Sequence, residues 1–324
     1  MTATASTKAT RAWGISGALT ATLVWGAMFP VAASVLPDLG PYWMTFVRYL
    51  GATPILLVAL RLVEGAGALR PDGRTLRLLG LGTLGFAGFN LLTFEGVAHS
   101  RPQNISLVVA LTPLLTLLVT AVRTRRLPGA TTLGWLLLAL LGVAVVLTHG
   151  HPAALGSLGV GEPLALVGAI CWIVYSLGAA GFPAWSPLRY TTLTMVGGTI
   201  GIGAVTTVAT AVGHTSVPPA GAVWDAVPQL AYMSVLAGTL AVVGWNTGVR
   251  NLGALNGVLF MNLVPITTFT VEGLRGSPVT AVDLIGVAIT IAALVGENLG
   301  RRRTARNAAP APAPSLAREF EEVA

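Results

Sequence analysis

Apolar runs of about twenty residues recur along this chain between short polar breaks, and each is long enough to cross a hydrocarbon core of about 30 Å as a helix. Strands are a poor alternative: the runs lack the apolar/polar alternation of a barrel, and a lipid-exposed backbone must satisfy its own hydrogen bonds. The pattern predicts an all-α polytopic membrane protein with ten transmembrane helices, over 13–33, 42–62, 76–98, 104–122, 132–148, 163–181, 191–212, 227–249, 255–275 and 282–299. Composition agrees. Hydrophobic residues make up 54% of the chain and charged ones 10%, with a mean hydropathy of +0.76, more apolar surface than a soluble domain can hide.

The pattern also repeats. Two segments 152 residues apart match without a gap at Gly96/Gly248, Val97/Val249, Asn104/Asn256, Leu107/Leu259, Leu111/Leu263, Pro113/Pro265 and Thr116/Thr268. Trp25 and Trp172 echo each other at a separation of 147. Five spans precede the connecting loop at 150–161 and five follow it. An odd number per unit makes the second copy enter the membrane from the opposite side, so the two five-helix repeats are inverted.

Charge sets the orientation. With the N-terminus in the cytoplasm, 16 of the 19 Lys and Arg fall in inside segments; Arg101 and Arg275 lie outside, and Arg48 lies within the second helix. This positive-inside bias puts both termini in the cytoplasm. The net charge of +7 therefore serves topology and anionic lipid headgroups; no soluble basic domain exists to bind nucleic acid.

The expected organisation is a cytoplasmic N-terminus (1–11), a first five-helix repeat (12–149), an external loop (150–161), a second repeat (162–299) and a disordered cytoplasmic tail (300–324). The first run reads as an uncleaved anchor. The tail starts with Arg301, Arg302 and Arg303 and alternates Ala with Pro over 309–314.

Little in the chain points to enzymatic chemistry. No phosphate-cradling Gly-Lys-Ser/Thr loop, His-Glu-x-x-His or Gly-x-Ser-x-Gly occurs. Cys171 reads as a small hydrophobe, His149 and His151 as loop residues without carboxylate neighbours, and no metal or cofactor is expected. Glycine series such as Gly80, Gly82, Gly85 and Gly88 read as close helix contacts.

Polar groups inside the spans are the candidate chemistry, since an ionised one at mid-bilayer costs about 2.5–3.5 kcal/mol on insertion scales. Arg48 either snorkels or faces a cavity; the cavity is favoured, with a substrate carboxylate or phosphate, or an internal acid, as its partner. Asn262, Pro265, Thr268 and Glu272 share one helix face. Glu272 serves either as a cavity or proton-coupling group or as the ion-pair partner of Arg275. Glu95 and His99 stand one turn apart, as a proton relay or a headgroup-level pair. Asn90 offers an uncharged amide near the centre of the third span. Asn104 and Asn256 open the helices that carry the paired prolines, as caps or as substrate contacts. Pro113 and Pro265 free the carbonyls of Val109 and Met261, for a hinge, a site or a static kink. Trp25, Trp172 and Tyr175 either stack on a substrate or pack the bundle.

Several of these residues together resemble the EamA family of the drug/metabolite transporter superfamily: Trp25-Gly26-x-x-Phe29, the Phe46-Val47-Arg48-Tyr49 stretch, the small-residue third span, and Pro113 and Pro265 in the fourth and ninth. The resemblance covers about residues 12–299. It implies a ten-helix carrier with a cavity lined by the first four helices of each half and the fifth and tenth at the periphery. It also departs from the family: a Gly-Glu pair common after the fourth and ninth helices is replaced by Thr124-Arg125-Arg126-Leu127 and Gly276-Ser277-Pro278-Val279.

The expected function is thus a secondary transporter in the cytoplasmic membrane. It works by alternating access as an exporter of a small metabolite, amino acid or amphiphilic compound, with coupling to protons as one option. Its partners are that small molecule, protons and lipids, and a homodimer is compatible with all of this. The competing class is a polytopic protein that is not a carrier, such as a lipid-modifying enzyme or an assembly scaffold.

Overall fold

A computed structural model describes residues 2–125, 129–151, 159–252 and 258–308. Among them the chain is all helical, with no strand. Seven helices are long and apolar enough to cross a membrane, or eight when the bent pair Pro102–Ala110 and Thr112–Val122 counts as one span. Their flanks carry a belt of large exposed apolar side chains, Leu62, Leu137, Val208 and Leu284 among them, which in water would be a liability and in lipid is the expected surface.

The first helical run, Thr2–Glu64, contains one residue that is not helical, Gly40, at φ 64° and ψ 161°. That left-handed φ costs a glycine nothing because it lacks a Cβ. The chain reverses there. The part before Gly40 runs antiparallel to the segment 227–252: Gly14 lies against Asn251 and Leu252, and Gly17 against Gly244. The part after it runs parallel to the same segment, with the Arg48 carbonyl accepting from Ser234 Oγ at 2.9 Å and Ala52 against Gly238.

Pro30, Pro37, Pro41 and Pro54 lie inside the first helical run, but other prolines open new helices. Pro102, Pro113, Pro187 and Pro228 each occupy the first or second position of a helix, where the missing N–H would have had no partner in any case. Pro113 follows a break at Leu111, and the two flanking segments make an angle of 44°. Pro265 stands third in the helix Leu263–Leu274, behind a 3₁₀ turn at Val258–Asn262. The carbonyl of Val109, predicted to be freed by Pro113, accepts the Thr112 hydroxyl at 2.5 Å.

Two wide turns interrupt the regular α geometry. Thr83–Gly88 and Tyr232–Leu240 are π-helical, and the Thr239 hydroxyl reaches the Ser234 carbonyl five residues back. π segments hold an extra residue per turn and gather at functional sites.

Glycines bring the remaining helices together. Gly142 of Ala130–Thr148 lies against Gly286 of Ala281–Ala308, and Gly96 against Gly161. Gly82, Gly85 and Gly88 all sit at close contacts, whereas Gly80 faces open space. One buried cluster joins Met28, Phe29, Leu107, Leu111, Val143 and Leu294; a second joins Tyr49, Phe86, Tyr175, Phe182 and Tyr190.

Candidate functional site

Between the two clusters lies a cavity of about 70 Å³ that draws on nearly every long helix. Trp25, Met28 and Phe29 come from the part of the first helix before Gly40, and Arg48 and Tyr49 from the part after it. Phe86, Phe89 and Asn90 follow from the π turn and the helix beyond it; Trp172 and Met195 lie opposite. Val109 and Thr112 flank the break at Leu111, while Ala237, Gly238, Val242, Met261 and Val264 close the remaining wall.

Arg48 is the only charged group in this lining, and it is 3% exposed. Its guanidinium lies over the rings of Tyr49 and Phe94, 4.8 and 5.4 Å from their centroids. Nη2 makes a long hydrogen bond to Tyr49 Oη at 3.5 Å, while Nε and Nη1 are buried without an acceptor. Among the described residues no carboxylate comes within ion-pair distance of it. The internal acid named above as one option for its partner is therefore absent from these residues, and the cation–π contacts compensate only part of the lost hydration.

Asn90 fixes the neighbouring phenol. Its Nδ2 donates to Tyr49 Oη at 2.9 Å and to the Phe86 carbonyl at 2.9 Å. Trp25 is fixed likewise, its Nε1 donating to the Ala237 carbonyl at 3.0 Å, inside the second π turn. A π turn offers such a carbonyl because its i→i+5 pairing leaves the ladder out of register.

A second space of about 310 Å³ shares Trp25, Phe86, Trp172 and Val242 with the cavity and extends along Tyr175 and Tyr190 to Phe182, Trp185 and Ser186. Aromatic contacts run its length: Trp172 to Tyr175 at 5.1 Å, Tyr175 stacked on Tyr190 at 5.3 Å, Tyr190 to Phe182 at 5.2 Å. It ends where arginines gather. Arg74 and Arg77 lie over Phe182, and Arg189 lies over Trp185 at 4.2 Å while pairing with Asp72 at 2.7 Å. Ser186 caps the helix Pro187–Ala211 and reaches Glu64 at 2.5 Å.

The opposite end carries acids, each with partners. Glu272 accepts from Ser277 Oγ at 2.5 Å and faces Arg275 Nη1 at 3.5 Å; Arg275 also holds the Pro30 carbonyl at 2.6 Å. Glu162 takes hydrogen bonds from Ser100 and Asn104. Asp283 is fully buried between His149, at 3.2 Å, and Arg101, at 3.9 Å. It also completes a reciprocal cap with Thr280, backbone N–H to side chain in both directions.

Of the residues singled out from the sequence, Trp25, Arg48, Asn90 and Trp172 meet in the cavity, and Tyr175 lines the passage. Asn104 is tied to Ser100 and Glu162. Thr268 donates to the Gly26 carbonyl at 2.8 Å and so binds two helices together. Pro113, Asn262, Pro265, Glu272, Glu95 and His99 stand outside the cavity lining. Glu95 faces His99 at 3.7 Å and keeps Oε2 buried without a partner. Asn256 lies outside the described residues. Val109 and Met261, the residues whose carbonyls the paired prolines were expected to free, both line the cavity, whereas Tyr49, Phe86, Thr112 and Met195 were not anticipated; of these only Tyr49, beside the intramembrane Arg48, carried a signal. Among the described residues no three His, Cys, Asp or Glu side chains gather to hold a metal ion.

Relatives share this plan over most of their length. The chain is 35% identical over 297 residues to the uncharacterized transporter YrdR of Bacillus subtilis (strain 168), covering 89% of this chain and 92% of the relative. It is 29% identical over 270 residues to the uncharacterized transporter YyaM of the same organism, covering 82% and 87%. A crystal structure of a protein 22% identical superposes with a TM-score of 0.62 over 93% of this chain and 98% of that one, a likeness of fold alone. The model of the EamA-like transporter family matches residues 12–148 and 159–298, and the chain belongs to that family.

Proposed function

We propose that this protein is a ten-span secondary transporter of the cytoplasmic membrane, exporting a small metabolite, amino acid or amphiphilic compound by alternating access. Its carrying observation is the cavity around Arg48, which opens into a passage toward the arginine-rich end and is backed by packed residues and partnered acids at the other. A mid-bundle site with a route toward one side is what one state of an alternating-access cycle requires.

Ten spans is the count that the elements support best. The 55-residue run Thr10–Glu64, at 1.5 Å per residue, would measure about 80 Å as one rod, so the reversal at Gly40 is taken to make two spans of it. The bent pair, broken at Leu111, counts as one span, and Val258–Asn262 with Leu263–Leu274 counts as the ninth. The inverted repeat is supported by helix contacts that exchange the halves: the first span meets the eighth at Gly17 and Gly244, and the sixth meets the third at Gly161 and Gly96. The two segments matched by the family model, 12–148 and 159–298, coincide with the two halves.

With the N-terminus inside, the arginine-rich end is cytoplasmic and the passage opens to the cell interior. Protons are assigned to Glu95 in preference to Glu272, because Glu95 has an unpartnered buried oxygen whereas both oxygens of Glu272 are engaged. The experiment is counterflow with purified protein in liposomes against a metabolite panel, with and without a pH gradient. No counterflow with any solute would end the carrier reading. Uptake indifferent to the gradient, in the wild type and in Glu95→Gln alike, would end proton coupling.

A further inference from the structure

The cavity holds a buried cation, and among the described residues no carboxylate comes within ion-pair distance to neutralise it. Two guanidinium nitrogens lack an acceptor, and the third makes a contact at the long limit of a hydrogen bond. Neither the cavity nor the passage is lined by an Asp or Glu. Three buried carboxylates among the described residues are treated differently: Asp283, Glu162 and Glu272 all have side-chain partners. A lone buried cation is costly, and a guanidinium presents a planar fork that suits a carboxylate.

We infer that the cavity is a recognition site for a small organic anion, a single carboxylate carried on a flat apolar body. The carboxylate accepts from a free nitrogen of Arg48, Nε or Nη1, and the body lies among Trp25, Phe86, Phe89 and Trp172. This deepens the transport reading and rests on it for the route, but not for the binding itself.

Size and charge narrow the class. About 70 Å³ accommodates several water-sized volumes at roughly 10–15 Å³ each, enough for a headgroup and a few carbons, with longer bodies extending into the passage. One cation matches one negative charge, so a phosphate dianion would keep a second charge unmatched in an otherwise apolar wall. An ammonium group would face Arg48 with no acid to receive it, which disfavours organic cations and leaves the amino group of a zwitterion unpaired. Asn90 contributes by position: by holding Tyr49 Oη it keeps the phenol from turning away and the guanidinium clamped between two rings.

The probes are phenylacetate, its amide phenylacetamide, phenethylamine and phenyl phosphate, titrated into the purified full-length protein by tryptophan fluorescence and calorimetry. Phenylacetate is expected to bind at least about tenfold tighter than the amide or the amine, the worth of a charge-assisted hydrogen bond, and tighter than phenyl phosphate. Arg48→Met is expected to lose about tenfold or more for phenylacetate and nothing for the amide, with Arg48→Lys in between. Equal binding of acid and amide, a preference for the amine or the phosphate, no binding of phenylacetate, or full affinity in Arg48→Met would overturn the inference. If Arg48→Met fails to fold, the ranking of the four probes on the wild type decides. Counterflow separates this from the broader reading. The expected ranking without any transport refutes the carrier and leaves the anion site standing, whereas transport of a neutral or cationic solute with no phenylacetate binding does the reverse.

Discussion

The centre of the bundle and its acid-bearing end handle charge in opposite ways. At that end two buried carboxylates have been given partners: Asp283 has Arg101, His149 and a helix cap, and Glu272 has Ser277 and Arg275. At the centre Arg48 has two rings and a distant phenol. A satisfied charge fixes loops to helices and contributes to folding. An unsatisfied one costs stability and persists where another molecule completes it. The contrast separates structural from functional polarity in a chain where both kinds read as a charged residue near an apolar run.

The sharpest way to break that contrast is at Arg48. Arg48→Met is expected to lower transport about 10- to 100-fold while leaving thermal stability unchanged or higher, since an apolar side chain of similar length removes an uncompensated charge. Counterflow and thermal unfolding of the same preparation check both halves, and a large drop in melting temperature would assign Arg48 to structure. Asp283→Ala should show the opposite profile, losing about 2 kcal/mol of stability through its cap and ion pairs, with activity per folded molecule retained. Unfolding in detergent reads the first quantity, and a double variant with Arg101→Ala should cost less than the sum of the two.

Smaller effects sharpen the boundary between the two regions. Asn90→Leu frees the Tyr49 phenol and is expected to weaken substrate binding by about 1 kcal/mol, or roughly fivefold, visible in KM more than in the maximal rate. Glu272→Gln keeps an acceptor for Ser277 and should cost about 0.5–1 kcal/mol in stability with transport within about twofold of wild type. A loss of transport there would move the functional acid to the outer end.

Much of this architecture was legible from the chain alone. Apolar runs located the helices, and polar or aromatic side chains inside them, Trp25, Arg48, Asn90 and Trp172, stood out because lipid gives them no reason to be there. Phe86 and Met195 did not, since an apolar residue looks the same facing lipid, a neighbouring helix or a cavity. Asp283 and Glu162 fall at predicted span edges, where a carboxylate is unexceptional; their burial depends on Arg101, His149, Ser100 and Asn104, brought from distant parts of the chain. Pro113 and Pro265 suggest a hinge, a site or a kink because the sequence shows an unbroken apolar run at each, while the chain stops one helix and starts another beside them.

The two π turns have a consequence for phase. Successive side chains in an α-helix step by about 100° around the axis, so one surplus residue at Thr83–Gly88 or Tyr232–Leu240 rotates everything beyond it by that amount. Phe86 and Asn90 face the cavity together on those terms, and so do Ala237 and Val242. Removing a single residue such as Leu84 would let the helix close into regular α geometry, still apolar and still long enough to span. It would turn Asn90 away from Tyr49, so such a deletion should leave a folded protein that has lost its ligand, a result that circular dichroism and phenylacetate titration would read side by side.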